Sequence, residues 1–221
     1  QVGINRRGSP IYQEAARLVQ DGKIGQVSIA RAYRVSNMYP NGIGNCKPSD
    51  PPKGFDWDMW LGPRAYRDYQ YNIAPYKFRL WKSYSSQNGN WGVHYIDAMR
   101  WMMGEEAPVA VTANSSKSIL TDDRTIPDTS EITYEMPSGA KIVFGMYEAN
   151  GGPVIPDGGE IQLRGTKGNL NISQGGYKIF PTEPGQFQDR GTLIGTVTKR
   201  RGHVEDNMRN TPREGAANLI D

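Results

Sequence analysis

The segment NWGVHYIDAMRWMMG, Asn90 to Gly104, holds His94, one of two histidines in the chain, between Trp91 and Trp101. An imidazole there can take a proton from a hydroxyl, provided that it rests uncharged near neutral pH. Asn90 is a good N-cap for a helix beginning at Trp91, because its side-chain oxygen can accept from an orphan N–H of the first turn. His94 would then lie one turn in, near the positive end of the helix dipole. That position disfavours the imidazolium and holds the pKa below its usual value of about 6.5. The same pattern also fits a hydrogen-bonded core histidine, and the residues alone leave both readings open. Metal chemistry fits poorly: His203 is remote in sequence, there is no His-x-x-x-His, and Asp97, at i+3 from His94, lacks a third ligand. Cys46, the single cysteine, reads as a loop thiol, since no base partner is identifiable beside it.

A set of local elements must position these groups. Ser9 as N-cap and Pro10 at N1 announce a helix carrying Ile11, Ala15, Leu18 and Val19 at helical spacing, and Gly22 ends it. A strand follows, with Val27, Ile29, Tyr33 and Val35 on one face and Ser28, Ala30, Ala32 and Arg34 on the other. Residues 37–56 have no period and many Pro, Gly and Asn, which predicts a long loop of the kind that borders ligand sites. Trp57, Trp60, Tyr66, Tyr69, Tyr71, Tyr76, Phe78, Trp81 and Tyr84 then crowd together. They suit either a ring-shaped ligand or a packed core. The helix around His94 is nonpolar nearly all round, which predicts burial on most sides.

Beyond that helix the period becomes two. Residues 109–119 read as a strand, and Pro137-Ser138-Gly139 joins Ile132, Tyr134 and Met136 to Ile142, Phe144 and Met146 in a hairpin. Further strands follow in EIQLRGTKGNLNI and GGYKIF. The predicted class is α+β: a large, mostly antiparallel open sheet covered on one face by helices. Residues 1–180 form that domain, and residues 181–221 read as a polar, Gly-rich extended arm needing a partner surface.

Composition narrows the function classes. The 221 residues carry 26 Lys and Arg against 23 Asp and Glu, with no run of one sign, so a nucleic-acid partner is not expected. No stretch approaches the roughly 18 apolar residues of a membrane span, and QVGINRRGSP lacks the order of a signal peptide. No G-x-G-x-x-G follows a strand. The Gly-Ile-Gly of residues 42–44 sits in the Pro/Gly loop and lacks both the third glycine and the acidic residue about 20 positions on.

The order QVGINRRGSPIYQEAARLVQDGKIGQV, FDWDMWLGP, YKFRLWKSYSSQNGNWGVHYIDAMRWMMG and GGEIQLRGTKGNLNISQGGYKIFP resembles the C-terminal, substrate-side domain of the Gfo/Idh/MocA oxidoreductases. The resemblance covers residues 1 to about 180, and it implies the dihydrodipicolinate-reductase-like C-terminal fold. It also implies the substrate-binding and catalytic half of an NAD(P)-dependent dehydrogenase acting on CH–OH groups of a sugar, polyol or related ring. The cofactor, NAD or NADP, would belong to the full-length parent, with its Rossmann domain upstream in the same polypeptide. This chain alone is expected to hold no dinucleotide tightly and to be silent in catalysis, with the family's final helices missing after residue 221. The same resemblance implies a homodimer or homotetramer formed through the sheet, in the cytoplasm by default or in the periplasm if the parent carries a leader. It leaves two other classes open: an NAD-dependent glycoside hydrolase, and a non-enzymatic oligomerisation domain.

Residue by residue, His94 matches the family's active-site histidine and Asn90 stands where many relatives have Asp, so both are assigned to catalysis. Asn90 can orient a partner but cannot supply negative charge. Asn5 and Arg6 match the segment that approaches the nicotinamide, and Arg6 also the substrate. Trp81, Tyr84, Trp91 and Asp97 are expected around the substrate.

Overall fold

Helix termini form where the backbone signals stand. The computed structural model describes residues 3–182 and the backbone of residues 196–200 and 203–207. Helix α1 (Pro10–Gln20) starts after Ser9 in extended conformation and has Pro10 in its first turn. It ends as Gly22 turns left-handed at φ +76°. Gly22 N–H then donates to Val19 O at 3.0 Å and Lys23 N–H to Leu18 O at 2.9 Å, which satisfies two orphan carbonyls. Tyr12, Ala15, Ala16 and Val19 recur at the helical period and form its buried stripe. The short α2 (Trp57–Leu61) is capped by Asp56, whose carboxylate accepts from Met59 N–H at 2.9 Å.

The helix that carries His94 begins earlier than the sequence suggests. Asn88–Gly92 form one π-helical turn, and α3 (Val93–Met103) continues from it with Gly92 already helical. Asn90 is therefore inside the helical run, not its N-cap. Its backbone N–H bonds Ser86 O at 2.9 Å, and its side-chain amide donates to Gln87 Oε1 at 3.2 Å. Tyr95, Ala98, Met99 and Met102 are the buried stripe of α3, and His94 stands at its edge, half-exposed. Gly92 permits close approach to the sheet: a Cβ there would lie 3.2 Å from Phe144 Cε1 and 2.6 Å from Asn88 Oδ1.

The strands are β1 (Val27–Val35), β2 (Ala110–Ser116), β3 (Thr129–Glu135), β4 (Lys141–Tyr147), β5 (Ile161–Gly165), β6 (Gly168–Ser173), β7 (Gly176–Pro181), β8 (Thr196–Arg200) and β9 (His203–Asn207). Among the described residues they form one sheet in the order β2-β3-β4-β1-β5-β6-β7-β8-β9. Only β1 and β4 run parallel; every other neighbouring pair is antiparallel. The predicted class is thus the observed one, a mostly antiparallel open sheet with helices on one face. The hairpin is also as predicted, with Ile132 opposite Phe144 and Tyr134 opposite Ile142. Of the arm expected over residues 181–221, β8 and β9 are described, and the remainder after Thr182 lies outside the described residues.

Two cores result. The larger joins α1 and α3 to Ala30 and Ala32 of β1, Ile142 and Phe144 of β4, Ile161 and Leu163 of β5, and Leu170, Ile172 and Ile179 beyond. In β1 the helix-covered side is the one with the small residues Ala30 and Ala32, which are fully buried, while Ile29 and Tyr33 are half-buried. The second core gathers Ile43, Trp57, Leu61, Tyr69, Ile73, Leu80, Trp81 and Ile126, with Trp60, Phe78 and Tyr84 packed against it. The aromatic-rich segment therefore builds a core; Tyr66, Tyr71 and Tyr76 remain exposed. No helix among the described residues is long and apolar enough to cross a membrane.

Candidate active site

Three elements bring basic and aromatic groups to the edge of α3. The 3-10 turn Asn5–Gly8 places Arg6 inside and Asn5 outside. Arg6 is buried, its guanidinium lies 4.3 Å from the centre of the Tyr95 ring, and its Nη2 donates to Glu160 Oε2 at 3.0 Å. Tyr12 donates its hydroxyl to the same carboxylate oxygen at 3.0 Å. Burial works against the Arg6 charge, but Tyr12 and Glu160 outweigh it and hold its pKa above the ordinary value. Burial and the Glu160 charge push the Tyr12 hydroxyl well above its ordinary range, so it stays protonated and donates.

One turn before Tyr95, Trp91 stacks on it with centroids 6.2 Å apart. Arg34, from β1, covers the Trp91 ring at 4.3 Å. Two guanidiniums thus lie on two successive aromatic rings of one helix, a contact that favours the planar Arg head.

His94 lies beside this pair of stacks. Its pKa is held below 6.5, first by burial and then by the Arg6 charge, with Asp97 pulling the other way. The direction of this shift is the one expected from the sequence, but its causes are burial first and the Arg6 charge second, and the π turn moves the helix start away from His94. His94 Nδ1 is buried and has no hydrogen-bond partner; Arg6 Nε and Arg34 Nε share that condition. Buried N–H and ring nitrogen atoms normally find a partner; Asn72 Oδ1 and Arg79 Nε are the other buried side-chain atoms without one among the described residues.

Asp97 is already committed. Arg7 Nε and Nη2 grip its two oxygens at 2.8 Å each, and Arg7 also lies over Trp101 at 5.3 Å. The pair clamps the Asn5–Gly8 turn onto α3 and so sets where Arg6 meets His94. Trp81 is buried in the second core with its ring N–H on Asn72 O at 2.8 Å, and Tyr84 packs there on Trp60. The structure brings Arg6, Trp91 and Asp97 to His94, and places Trp81 and Tyr84 in a different cluster.

Asn90 leads into a buried polar network. Its partner Gln87 donates to Glu148 Oε1, and Arg124 Nη1 donates to Glu148 Oε2 at 2.6 Å. Arg124 Nε reaches Asp122 at 2.9 Å, and Asp122 Oδ2 accepts from Ile43 N–H at 2.7 Å. Burial pushes the Glu148 carboxyl up, opposed by Arg124. Asn90 is thus positioned through Gln87 by a carboxylate that the sequence did not connect to it. A cavity of ≈ 690 Å³ opens along the same turn, lined in part by Gln87, Asn88, Ser130, Phe144 and Met146; His94 is not among its walls.

The residues at 42–44 do not suit a dinucleotide phosphate. A Cβ on Gly42, at φ +56°, would fall 2.0 Å from Asp122 Oδ2, and the Ile43 N–H is already held by that carboxylate. The loop closes on an anion of its own and would repel another. Asn5 is exposed beside Arg6. Among the described residues no three His, Cys, Asp or Glu side chains gather as a metal site. Cys46 carries a free thiol in the loop, its N–H held by Asp123 Oδ2 at 2.7 Å.

Arg34, Glu160, Tyr12, Tyr95, Gln87 and Glu148 are the groups that sequence reading missed. Arg34 and Tyr95 carried a faint signal, since both neighbour apolar positions of buried elements. Glu160 and Glu148 carried none, because only the sheet brings them near residues more than 50 positions away.

Known proteins share this fold. The model of the oxidoreductase family, C-terminal alpha/beta domain, of Gfo/Idh/MocA type, matches residues 13–172. Compared with curated protein sequences, the chain has no match. Among solved structures, a levoglucosan dehydrogenase in complex with NADH and levoglucosan is 18% identical with TM-score 0.57, covering 91% of this chain and 47% of that one. An oxidoreductase domain protein from Kribbella flavida is 20% identical, TM-score 0.52, covering 87% and 46%. An aldose-aldose oxidoreductase from Caulobacter crescentus complexed with glycerol is 18% identical, TM-score 0.50, covering 99% and 48%. The chain spans about half the length of the structures that it matches. It belongs to the Gfo/Idh/MocA oxidoreductase family, as that family's C-terminal alpha/beta domain.

Proposed function

We propose that this chain is the substrate-side half of an NAD(P)-dependent oxidoreductase, with His94 as the base that takes the proton from a substrate hydroxyl. The observation that carries this reading is the place of the imidazole: at the edge of a buried helix, beside Arg6, whose charge together with burial holds its pKa low, and with a buried nitrogen that no protein group among the described residues satisfies. A dinucleotide held by an upstream domain would supply the hydride acceptor. This chain's residues do the rest. His94 removes the hydroxyl proton as the carbon is oxidised, and Arg6, fixed by Glu160 and Tyr95, keeps positive charge beside that base and so disfavours its charged form before the transfer. Arg7 and Asp97 hold the turn that carries Arg6. Asn90, oriented by Gln87, offers hydrogen bonds to a second hydroxyl. The neighbouring sugar-acting oxidoreductases, one crystallised with NADH and levoglucosan, support a hydroxylated ring as substrate.

The test is a panel of sugars and polyols given to the full-length parent, read at the nicotinamide absorbance, with wild type against His94→Ala. Loss of a positioned base is expected to lower kcat about 10²- to 10⁴-fold. Undiminished turnover in the variant would remove His94 from the mechanism. Product release with no net cofactor reduction would replace the dehydrogenase with a glycoside hydrolase.

The uncovered face of the sheet is proposed to meet a second copy of the chain. Tyr33 lies across Gly145 there, 5.7 Å from the Tyr147 ring, beside Ile29 and Val35. Light scattering on the parent should give a dimer or tetramer, and Tyr33→Glu should shift it toward monomer. A monomer in the wild type sinks this part.

A further inference from the structure

Among the described residues Arg34, set on the Trp91 ring next to the Tyr95–Arg6 stack, has no counter-ion at ion-pair distance, whereas Arg6, Arg7 and Arg124 are all engaged. Arg6 is paired with Glu160 at 3.0 Å, and Arg7 with Asp97 at 2.8 Å. Arg124 sits between Asp122 and Glu148 at 2.9 and 2.6 Å. Among the described residues Arg34 has no carboxylate within ion-pair distance, and its Nε is buried with no acceptor. Glu148, whose carboxyl feels the Arg34 charge, has both oxygens taken by Gln87 and Arg124. The head of Arg34 is fixed in place by the Trp91 ring at 4.3 Å. Trp91, in the π turn, and His94, in the first turn of α3, are three residues apart on one helical run.

A planar guanidinium held flat on an indole, with no carboxylate of the described residues on its head, is shaped for a planar anion that takes two N–H groups side by side at the Nη end. We propose that Arg34 is an anion subsite, and that the substrate of the His94 site is a hydroxylated ring or chain bearing a carboxylate, such as a uronic or aldonic acid, rather than a neutral sugar. One uncompensated positive charge suits the single charge of a carboxylate; a phosphate dianion would need a second, and Arg6 is already neutralised by Glu160. The assignment rests on the oxidoreductase reading above.

The experiment compares matched pairs, D-glucose with D-glucuronate and D-galactose with D-galacturonate, on the full-length parent. Wild type, Arg34→Lys and Arg34→Met are assayed for kcat/KM, and folding is checked by circular dichroism. The acid is expected to exceed its neutral partner by about tenfold or more, with the ratio partly kept in Arg34→Lys and falling to about one in Arg34→Met. The ratio is the readout, since a merely structural role would lower both members of a pair alike. An acid-to-neutral ratio at or below one in the wild type, or one that Arg34→Met leaves unchanged, overturns the subsite. Should Arg34→Met fail to fold, Arg34→Gln takes its place with the same required collapse. If no sugar of either kind is oxidised, titration calorimetry with the same pairs decides. Tighter binding of the acid, lost in Arg34→Met, keeps the subsite and removes the dehydrogenase reading; equal binding removes the subsite.

Discussion

Two arginines on the helix-covered side of the molecule, Arg124 and Arg34, live under opposite rules. Arg124 is fully buried, and every direction from its head meets a partner: Asp122, Glu148 and the Met38 sulfur. Arg34 is covered by Trp91 on one side and has an unsatisfied Nε on another. Both feel Glu148, so the difference lies not in access to negative charge but in how that charge is shared. The Arg124 region has used all its polar valences on itself. It can hold the loop near Ile43 and the turn at Gln87 in place, and it has nothing left to offer a ligand. The region around His94, Arg6 and Arg34 keeps three polar atoms open at the expense of stability. On the function proposed above, the satisfied cluster serves structure and its neighbour, left short of partners, serves recognition.

The largest effect should come from breaking the satisfied side. Arg124→Met leaves Asp122 and Glu148 buried without their cation, a change that costs about 3–5 kcal/mol in comparable buried pairs. Urea unfolding of the parent should report that loss in the transition that contains this domain. The double variant Arg124→Met with Glu148→Met should recover part of it, because the uncompensated charge is removed with its partner. A loss below about 1 kcal/mol would mean that the network is solvated and that the contrast with Arg34 is not one of burial.

The contrast also explains what was legible beforehand. Elements announced by local chemistry were read correctly: Ser9 and Pro10 opening α1, Gly22 closing it, and period-two runs giving the hairpin of β3 and β4. The start of α3 was misplaced because Asn90 has the look of a cap, while the π turn that absorbs it has no signature in residue type. The aromatic segment left two readings open, and packing on Trp57 and Tyr69 is the one found, since an aromatic ring carries no mark of which partner it will meet. Within the site, His94, Arg6 and Trp91 were reachable through local pattern and family resemblance. Arg34, Glu160 and Glu148 were not, because β1, β4 and β5 become neighbours only in the sheet.

A finer test acts on the recognition side alone. His94 has its pKa lowered by burial and by Arg6, and raised by Asp97. A base works in its neutral form, so the acid limb of kcat/KM for the parent should lie below pH 6.5, with activity falling as pH drops through the folded pKa. Arg6→Met removes a charge that disfavours the imidazolium and frees Glu160, which favours it. Both changes move the limb upward. Asp97→Asn removes the opposing influence and should move the limb further down. Stability follows the same sign: the folded state binds fewer protons at His94 than the unfolded chain, so folding weakens as pH falls from about 6.5 and levels off below the folded pKa. His94→Gln should flatten that part of the stability profile while leaving the acid loss tied to Asp128, whose carboxyl burial would raise but the Leu120, Ile119 and Ser118 N–H groups hold below its ordinary value. A limb unmoved by Arg6→Met and Asp97→Asn alike would show that His94 does not feel its neighbours, and the recognition side of the comparison would lose its base.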